Sequence, residues 1–257
     1  MNTLERKIRR VGDEGRAALI PFLTAGFPDQ SRFWPSIMEL DEHGADIIEI
    51  GVPFSDPVAD GPVVEDASRR VLADGVNLRG IMKELLERKG LLQSGVVLMG
   101  YLNPFLRYGF EKLADDAAAA GVHGFIIPDM PFEESAAFRD TLKQRDIALI
   151  PLVGPNTSED RMRLYAAESE GYVYVVSVMG TTGERGAFDP RVADTLRRAR
   201  SVFSLPVALG FGLSEPAQLE QFPADARPDA VVFGSALLRH LDAGKSAAEF
   251  LRRWRQA

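Results

Sequence analysis

The carboxylate of Glu49 stands between isoleucines in residues 46–50, a largely apolar segment that begins with Asp46, and a loop with three prolines and two aspartates follows it directly. Such a composition gives a stiff, shaped loop rather than a flexible connection. If residues 46–50 form a buried strand whose Ile48 and Ile50 face outward, side-chain alternation points Glu49 inward. Burial raises the pKa of a carboxyl group and suits it for general acid–base catalysis. The alternative, structural role for Glu49 is an ion pair with an Arg or Lys side chain.

Two glycine-rich regions occur later in the chain, and both are candidates for binding an anion. Residues 178–187 contain three glycines and two threonines, which is typical of a mobile lid or an anion cradle, although a plain flexible connection fits equally well. Gly210-Phe211-Gly212 and Gly234-Ser235 follow the last two apolar segments, where backbone amides and a helix N-terminus would bind phosphate. Ser235 would cap that helix and add a hydroxyl, and plain turn glycines are the alternative.

Short apolar segments rich in β-branched residues recur along the chain and predict the strands that would position these groups. They are continuous rather than alternating, which is typical of parallel strands buried on both faces. The eight segments are residues 18–23, 46–50, 96–99, 124–127, 147–153, 172–177, 206–209 and 230–233.

Amphipathic patterns between these segments predict helices. The clearest ones span residues 110–120, 133–145 and 158–168. Gly121 and Ser158 mark an end and a start, since glycine favours the left-handed position after a helix and serine caps an N-terminus. A further helix within residues 28–43 is expected to start between Ser31 and Phe33, because Pro35 is tolerated only near the first turn.

The succession of eight strands, each followed by helix, predicts an α/β fold of the (β/α)8 TIM-barrel type. We expect one domain, residues 1–257, with an extra N-terminal helix. An open, doubly wound sheet is the alternative, but it usually carries a glycine fingerprint after its first strand, and none follows residues 18–23. In a barrel the loops after the strands build the active site, which would bring Glu49 and the glycine-rich regions to one end.

Composition limits the classes of function. The 257 residues include no cysteine, which excludes disulfides, thiolate metal sites and a cysteine nucleophile. The histidines at positions 43, 123 and 240 are not at metal-site spacing, so no metal is expected. A net charge of -7 argues against a general affinity for nucleic acid or an anionic membrane. No apolar run reaches the length of a membrane span and the polar N-terminus is unlike a signal peptide, so a cytoplasmic protein is expected.

The loop after Glu49 also carries a specific family resemblance, to the α subunit of tryptophan synthase. The most specific match is Glu49-Ile50-Gly51-Val52-Pro53-Phe54-Ser55-Asp56-Pro57-Val58-Ala59-Asp60-Gly61-Pro62. Shorter matches are Pro21-Phe22-Leu23-Thr24-Ala25-Gly26, Tyr101-Leu102-Asn103-Pro104, Ile127-Pro128-Asp129-Met130-Pro131, Gly180-Thr181-Thr182-Gly183, Gly210-Phe211-Gly212 and Gly234-Ser235-Ala236-Leu237. The resemblance extends over essentially the whole chain.

The resemblance implies a carbon–oxygen lyase of tryptophan biosynthesis that cleaves indole-3-glycerol phosphate to indole and glyceraldehyde 3-phosphate by a retro-aldol reaction. Glu49 would be the principal acid–base group, and Asp60 would hold the indole N–H and stabilise the positive charge of the C3-protonated ring. Tyr174 would support catalysis nearby, and Thr182 in the lid would close on Asp60. The residues expected to line the apolar indole slot are Phe22, Met99, Ile126, Phe211 and Val232. Those expected to bind the phosphate are Gly183, Gly212, Gly234 and Ser235.

By the same resemblance the chain needs no cofactor of its own and has a β-subunit partner, in an α2β2 heterotetramer. The β subunit would carry pyridoxal phosphate and receive indole through a tunnel. Residues 53–60 and Asn103-Pro104-Phe105 would face that partner. Three alternatives remain open: a stand-alone indole-3-glycerol-phosphate lyase, another phosphate-binding barrel enzyme such as an isomerase of the same pathway, and a weakly catalytic chain that mainly activates the β subunit.

The chain departs from the family pattern in the lid and in the fifth unit. Thr181 stands where the lid usually has valine, and Val178-Met179 replaces a commoner pair. Pro151 and Gly154 are also less usual. These departures bear on lid kinetics and on coupling to the partner, since both catalytic carboxylates and the lid threonine are present.

Overall fold

The computed structural model describes residues 1–176, 190–210 and 213–255, in which helices and strands alternate. The strands are β1 Ala18–Thr24, β2 Ile47–Gly51, β3 Gly95–Met99, β4 Gly124–Ile126, β5 Ala148–Leu149, β6 Leu152–Val153, β7 Val173–Val176, β8 Val207–Gly210 and β9 Ala230–Phe233. The α-helices are α1 Thr3–Asp13, α2 Gln30–Glu42, α3 Pro62–Ala73, α4 Leu78–Glu87, α5 Leu102–Tyr108, α6 Phe110–Ala120, α7 Ala136–Lys143, α8 Glu159–Glu168, α9 Pro190–Val202, α10 Ser235–Asp242 and α11 Ala247–Arg255. Short 3₁₀ helices span Phe132–Glu134, Pro216–Gln221 and Ala224–Ala226. No helix within these ranges is long and apolar enough to cross a membrane.

The strands pair in parallel in the order β5-β4-β3-β2-β1-β9-β8-β7-β6. The two terminal strands, β5 and β6, are separated in sequence only by Ile150 and Pro151. The Ile150 N–H donates to the carbonyl of Phe125 on β4 at 2.9 Å, and the Pro151 carbonyl accepts from the N–H of Tyr174 on β7 at 3.0 Å. One extended segment therefore joins both ends of the sheet and closes it into the predicted barrel.

That segment is less regular than the sequence predicts. Residues 147–153 were expected to form one strand, but the strand is interrupted at Ile150 and Pro151. Proline has no N–H to give to a neighbouring strand, so the regular ladder stops there. The carbonyl of Pro151 still accepts a hydrogen bond, which is enough to keep the barrel closed.

Two predicted helices have different starts in the structure. The helix expected over residues 133–145 begins only at Ala136, after the 3₁₀ turn Phe132–Glu134. The Phe132 carbonyl accepts from the Ser135 N–H at 3.1 Å and from the Ser135 hydroxyl at 2.7 Å, which closes a tight turn there. The α2 helix begins at Gln30, one residue earlier than expected, because the Asp29 side chain caps it.

The α1 helix is the predicted extra N-terminal helix, and it packs against the amino-terminal end of the barrel. Its Leu4 side chain is fully buried. A Cβ atom at Gly95 of β3 or at Gly124 of β4 would lie 2.8 Å from a Leu4 methyl group. Glycines at these strand starts therefore leave room for the Leu4 side chain, which closes the amino-terminal end of the barrel. The opposite, carboxyl end of the strands is left to form a site.

Candidate active site

Glu49 lies inside the barrel near the carboxyl end of β2. Its backbone pairs with Phe22 of β1 and Val97 of β3, and its side chain is 3% exposed. In the strand order β7 lies directly across the barrel from β2, and the charge of Glu49 acts on the hydroxyls of Tyr172 and Tyr174 at β7. The carboxyl group therefore points into the interior, as side-chain alternation predicts.

Burial sets the protonation of Glu49. Desolvation, reinforced by the negative charge of Asp60, raises the pKa of Glu49 to about 8. The Oε2 atom has no hydrogen-bond partner, and no Lys or Arg side chain in the described part of the chain forms an ion pair with this carboxyl. The structural ion-pair role is therefore not seen there. A buried carboxyl that is protonated at neutral pH can give up a proton and take one back.

Asp60 lies half-buried on the loop between β2 and α3, residues 52–61, and its charge reaches both Glu49 and Tyr174. Burial is the main cause that raises its pKa to about 6; a hydrogen bond with the Tyr101 hydroxyl lowers the pKa, and the Glu65 carboxylate raises it. At neutral pH Asp60 is therefore ionised while Glu49 is protonated. Two nearby carboxyls with separated pKa values divide the acid role from the electrostatic role. No cluster of His, Asp or Glu in the described ranges could hold a metal ion.

Tyr101 is a site residue to which the sequence interpretation gave no role. It stands just after β3, is 1% exposed, and its hydroxyl accepts a hydrogen bond from the Ala59 N–H at 2.9 Å. Its ring stacks on Phe54 with 5.4 Å between the ring centroids. An aromatic residue just beyond a predicted strand, at the same barrel end as the acidic loop, is the signal that could have identified it.

Buried apolar side chains surround the two acids at the strand ends. The predicted residues among them are Phe22, Met99, Ile126, Tyr174 and Val232. Met99 pairs with Gly51 on one side and Ile126 on the other. A Cβ atom at Gly51 or Gly234 would lie 2.6 or 2.8 Å from the Phe22 ring, so both glycines make room for it. The result is an apolar surface of the kind that accepts an aromatic ring.

Gly234 and Ser235 begin the α10 helix. The predicted cap, Ser235, is instead the first residue of the helix: Gly234 is the N-cap residue and supplies no side-chain hydrogen bond. N–H groups and the positive end of the helix dipole at such a terminus attract an anion. The other predicted indole, phosphate and lid residues lie outside the described residues; these are Val178, Met179, Thr181, Thr182, Gly183, Phe211 and Gly212.

Comparison with known proteins decides the family. The family model for the tryptophan synthase alpha chain matches residues 8–256. The chain belongs to the tryptophan synthase alpha chain family. A tryptophan synthase alpha chain from Desulfovibrio desulfuricans is 73% identical over 255 residues, covering 99% of this chain and 100% of that protein. One from Nitratidesulfovibrio vulgaris is 64% identical over 251 residues, covering 98% of this chain and 97% of that protein.

Solved structures of the tryptophan synthase family share the barrel. The alpha chain from Legionella pneumophila has a TM-score of 0.86 at 29% identity, covering 100% of this chain and 97% of that chain. A chain of Mycobacterium tuberculosis tryptophan synthase has a TM-score of 0.85 at 34% identity, covering 99% of this chain and 95% of that chain. These likenesses confirm the predicted TIM-barrel fold.

An alpha chain of tryptophan synthase has a β-subunit partner, so part of the surface is a partner face. The sequence interpretation is wrong about one residue of this face: Phe105 is fully buried and packs edge-on against Phe125, with 5.4 Å between ring centroids. The next residue, Leu106, is 52% exposed in its place, and Asn103 is exposed as expected. On the acidic loop Val58 is 83% exposed.

Proposed function

We propose that this chain cleaves indole-3-glycerol phosphate with two of its own carboxyl groups, Glu49 as the acid–base group and Asp60 as the electrostatic partner. The observation that supports it is the different burial of the two groups at one barrel end: Glu49 is almost completely buried and Asp60 half-buried, so desolvation raises the pKa of Glu49 to about 8 and that of Asp60 to about 6. A retro-aldol cleavage needs both forms together, because a proton must be given to the ring while a positive charge is compensated.

The reaction would begin with transfer of the Glu49 proton to indole C3. The ring then carries a positive charge centred on its nitrogen, and the Asp60 carboxylate would accept a hydrogen bond from the N–H and stabilise that charge. The ionised Glu49 would next remove the proton of the glycerol hydroxyl beside the ring. The carbonyl of the aldehyde forms as the C–C bond breaks, and the bonding pair returns to the ring. The products are indole and glyceraldehyde 3-phosphate, and Glu49 is protonated again.

Substrate would be held by the apolar strand ends and by one anion site. The side chains proposed to contact the indole ring are Phe22, Met99, Ile126 and Val232. Tyr174, across the barrel from Glu49, would support the reacting groups. The phosphate would lie at the N-terminus of α10, on the amides of Gly234 and Ser235. Binding at both ends would orient the reacting bond toward Glu49.

We further propose that the chain forms a single domain and assembles with the β subunit as an α2β2 complex in the cytoplasm. Pyridoxal phosphate would be bound by the β subunit, and this chain would need no cofactor. Indole would pass to the β subunit across the face that includes Val58 and Leu106, where exposed apolar side chains suit a protein contact.

Steady-state release of indole by the purified chain, alone and with saturating β subunit, tests this function. We expect slow cleavage by the chain alone and faster cleavage in the complex, with glyceraldehyde 3-phosphate formed in equal amount. Rapid cleavage without a partner would favour a stand-alone lyase. Activation of the β subunit without any cleavage would favour a purely activating chain and would contradict the proposal.

A further inference from the structure

One side chain, that of Tyr101, attaches the acidic loop 52–61 to the barrel at two points. Its hydroxyl accepts a hydrogen bond from the N–H of Ala59, the residue before Asp60, and its ring stacks on Phe54 near the start of the loop. Tyr101 is buried, which limits the access of water to its ring, and its hydrogen bond with Ala59 is partly buried. A loop held near both of its ends by one buried ring has few positions open to it.

The Tyr101 hydroxyl has one proton to give, and Asp60 is the acceptor beside it. Since the hydroxyl oxygen already accepts the Ala59 N–H, its single O–H is available to the carboxylate, and that hydrogen bond lowers the pKa of Asp60. The other titratable groups at this point are Glu49 on β2, Glu65 on α3, Tyr174 on β7 and Asp129 after β4. Burial and Glu65 act in the opposite direction, so of these groups Tyr101 is the one that favours the ionised form of Asp60.

Tyr101 is itself held next to the loop that follows β4. It is the N-cap residue of α5, and the next residue, Leu102, donates its N–H to Asp129 Oδ1 at 2.8 Å. Asp129 stands after β4, so its carboxylate joins the loops that follow the third and fourth strands. The barrel, rather than the acidic loop, therefore sets the position of the Tyr101 hydroxyl.

We propose that Tyr101 is a positioning residue for the lyase reaction, whose hydroxyl and ring together hold the acidic loop, and with it the Asp60 carboxylate, in place for the charge that develops on the indole ring. This inference rests on the role proposed above for Asp60. It gives Tyr101 no contact with the reacting atoms. Loss of the hydroxyl should lower the rate of cleavage more than the affinity for substrate, because the ring carries more charge in the transition state than in the bound substrate.

Tyr101→Phe removes the hydroxyl and keeps the ring, and Tyr108→Phe is the matched control. Tyr108 lies on the same short helix, α5, and its hydroxyl also donates to a carboxylate, Asp116, at 2.5 Å. For Tyr101→Phe we expect kcat for indole-3-glycerol phosphate to fall about 10-fold to 100-fold, with KM changed by less than about 3-fold. The acid limb of the kcat/KM profile should move to higher pH, because the hydrogen bond that lowers the pKa of Asp60 is lost. Tyr108→Phe should alter neither quantity.

The outcomes separate this inference from the proposed function. Asp60→Asn with full activity would overturn the proposed function. If Asp60→Asn is inactive but Tyr101→Phe behaves like Tyr108→Phe, the inference alone is overturned. Should Tyr101→Phe lack a cooperative thermal transition, Phe54→Leu replaces it, since that change removes the stacked ring and keeps the hydroxyl. A fall in kcat without a rise in KM would support the inference, and wild-type kinetics would overturn it.

Discussion

The Tyr174 hydroxyl of β7 lies in the space that any side chain on Gly210 of β8 would enter. A Cβ atom at position 210 would overlap both the hydroxyl oxygen and the ring carbon that carries it. The two strands are paired in register, Tyr174 with Ala208 and Val176 with Gly210, so the backbone cannot withdraw without breaking the ladder. Gly210 therefore admits the Tyr174 ring to the barrel interior, a role that its interpretation as a phosphate-loop glycine did not include.

Gly210→Ala is expected to displace Tyr174 and to lower the free energy of unfolding by about 1–3 kcal/mol, the usual cost of overpacking a core. Cleavage activity should fall too, because Tyr174 lies across the barrel from Glu49. Thermal unfolding and steady-state kinetics measure the two effects. Gly154→Ala is the matched control, since no atom lies within 4 Å of a Cβ atom at that position.

A double-mutant cycle shows whether the Tyr174 ring is the cause. In a Tyr174→Ala background the space next to Gly210 is empty, so adding Gly210→Ala should cost much less than it does in the parent. An equal cost in both backgrounds would rule out the steric explanation.

Glu49→Gln should abolish cleavage and yet stabilise the fold at alkaline pH. The amide keeps the shape of the side chain but cannot exchange a proton, so turnover should fall by roughly 10²–10⁴. Isothermal titration with a substrate analogue should give an affinity close to that of the parent. Retention of more than about a tenth of the parent turnover would remove Glu49 from the central role.

The stability change has a definite sign. The carboxyl of Glu49 ionises near its ordinary pKa in the unfolded chain but only at about 8 in the folded one. Between these two values the unfolded state releases the proton and the folded state keeps it, so the free energy of unfolding falls as pH rises, by about 1.4 kcal/mol per pH unit. Glutamine does not ionise, so the free energy of unfolding of the variant does not fall in this way. The variant should therefore be more stable than the parent at pH about 8, and equal to it near the ordinary carboxyl pKa; a constant difference across this range would contradict the assignment.

The rate of cleavage should have a bell-shaped dependence on pH. Below about 6 Asp60 becomes protonated and can no longer stabilise the charged ring, and above about 8 Glu49 loses the proton that it must donate. The kcat/KM for indole-3-glycerol phosphate should therefore be highest between these values, with the limbs measured at constant ionic strength. A flat profile from about pH 5 to about pH 9 would contradict the assignment of both carboxyls.

Glu49 illustrates what could be predicted from the sequence. Its place in an apolar segment, with Ile48 and Ile50 on the other face, is a local pattern, and burial then determines its pKa. The barrel is predictable for a similar reason. Each parallel strand is buried on both faces and therefore reads as a continuous apolar run, so the eight segments that build the barrel are visible in the sequence, although the interruption of the fifth at Ile150 and Pro151 is not.

Tyr101 and Phe105 illustrate what could not be predicted from the sequence. Both belong to α5 or its cap, and what each side chain does is decided by residues distant in sequence: Ala59 and Phe54 for Tyr101, Phe125 for Phe105. A helix of this length offers too few residues for a periodic pattern to define its buried face. Such roles become visible only when the strands bring the loops together.

Ser235→Asp should raise KM for indole-3-glycerol phosphate steeply with little change in stability. The new carboxylate would stand at the N-terminus of α10, where it repels a phosphate group but suits the helix dipole. Ser246→Asp is the matched control, since Ser246 accepts the Glu249 N–H at 3.1 Å at the start of the next helix, α11. An unchanged KM in Ser235→Asp would contradict the phosphate site.

Contact with the β subunit should accelerate cleavage through the acidic loop, because that loop carries both exposed residues and Asp60. Coupling of this kind is typically about 1–3 kcal/mol, or about 5–150-fold. Pro57→Ala and Asp56→Ala should reduce the acceleration more than the basal rate, as measured by indole release with and without saturating β subunit. Asp160→Ala, on the exposed face of α8, should leave both unchanged. Equal rates with and without the β subunit would contradict the coupling.

Because Ile150 bonds to one neighbouring strand and Pro151 to the other, the barrel carries a seam at a single peptide bond. The polypeptide before that bond holds β1 to β5 as one continuous half-barrel, and the polypeptide after it holds β6 to β9 as the other. Besides that bond, the halves are joined by the ladder between β1 and β9 and by the packing of α10 and α11 against α2, α3 and β1. The two carboxyls come from the first half, whereas Tyr174 and the α10 terminus come from the second. A fragment that ended at this peptide bond would thus keep Glu49 and Asp60 but lack the proposed phosphate site at the N-terminus of α10. Only reassembly of both halves would restore a working site.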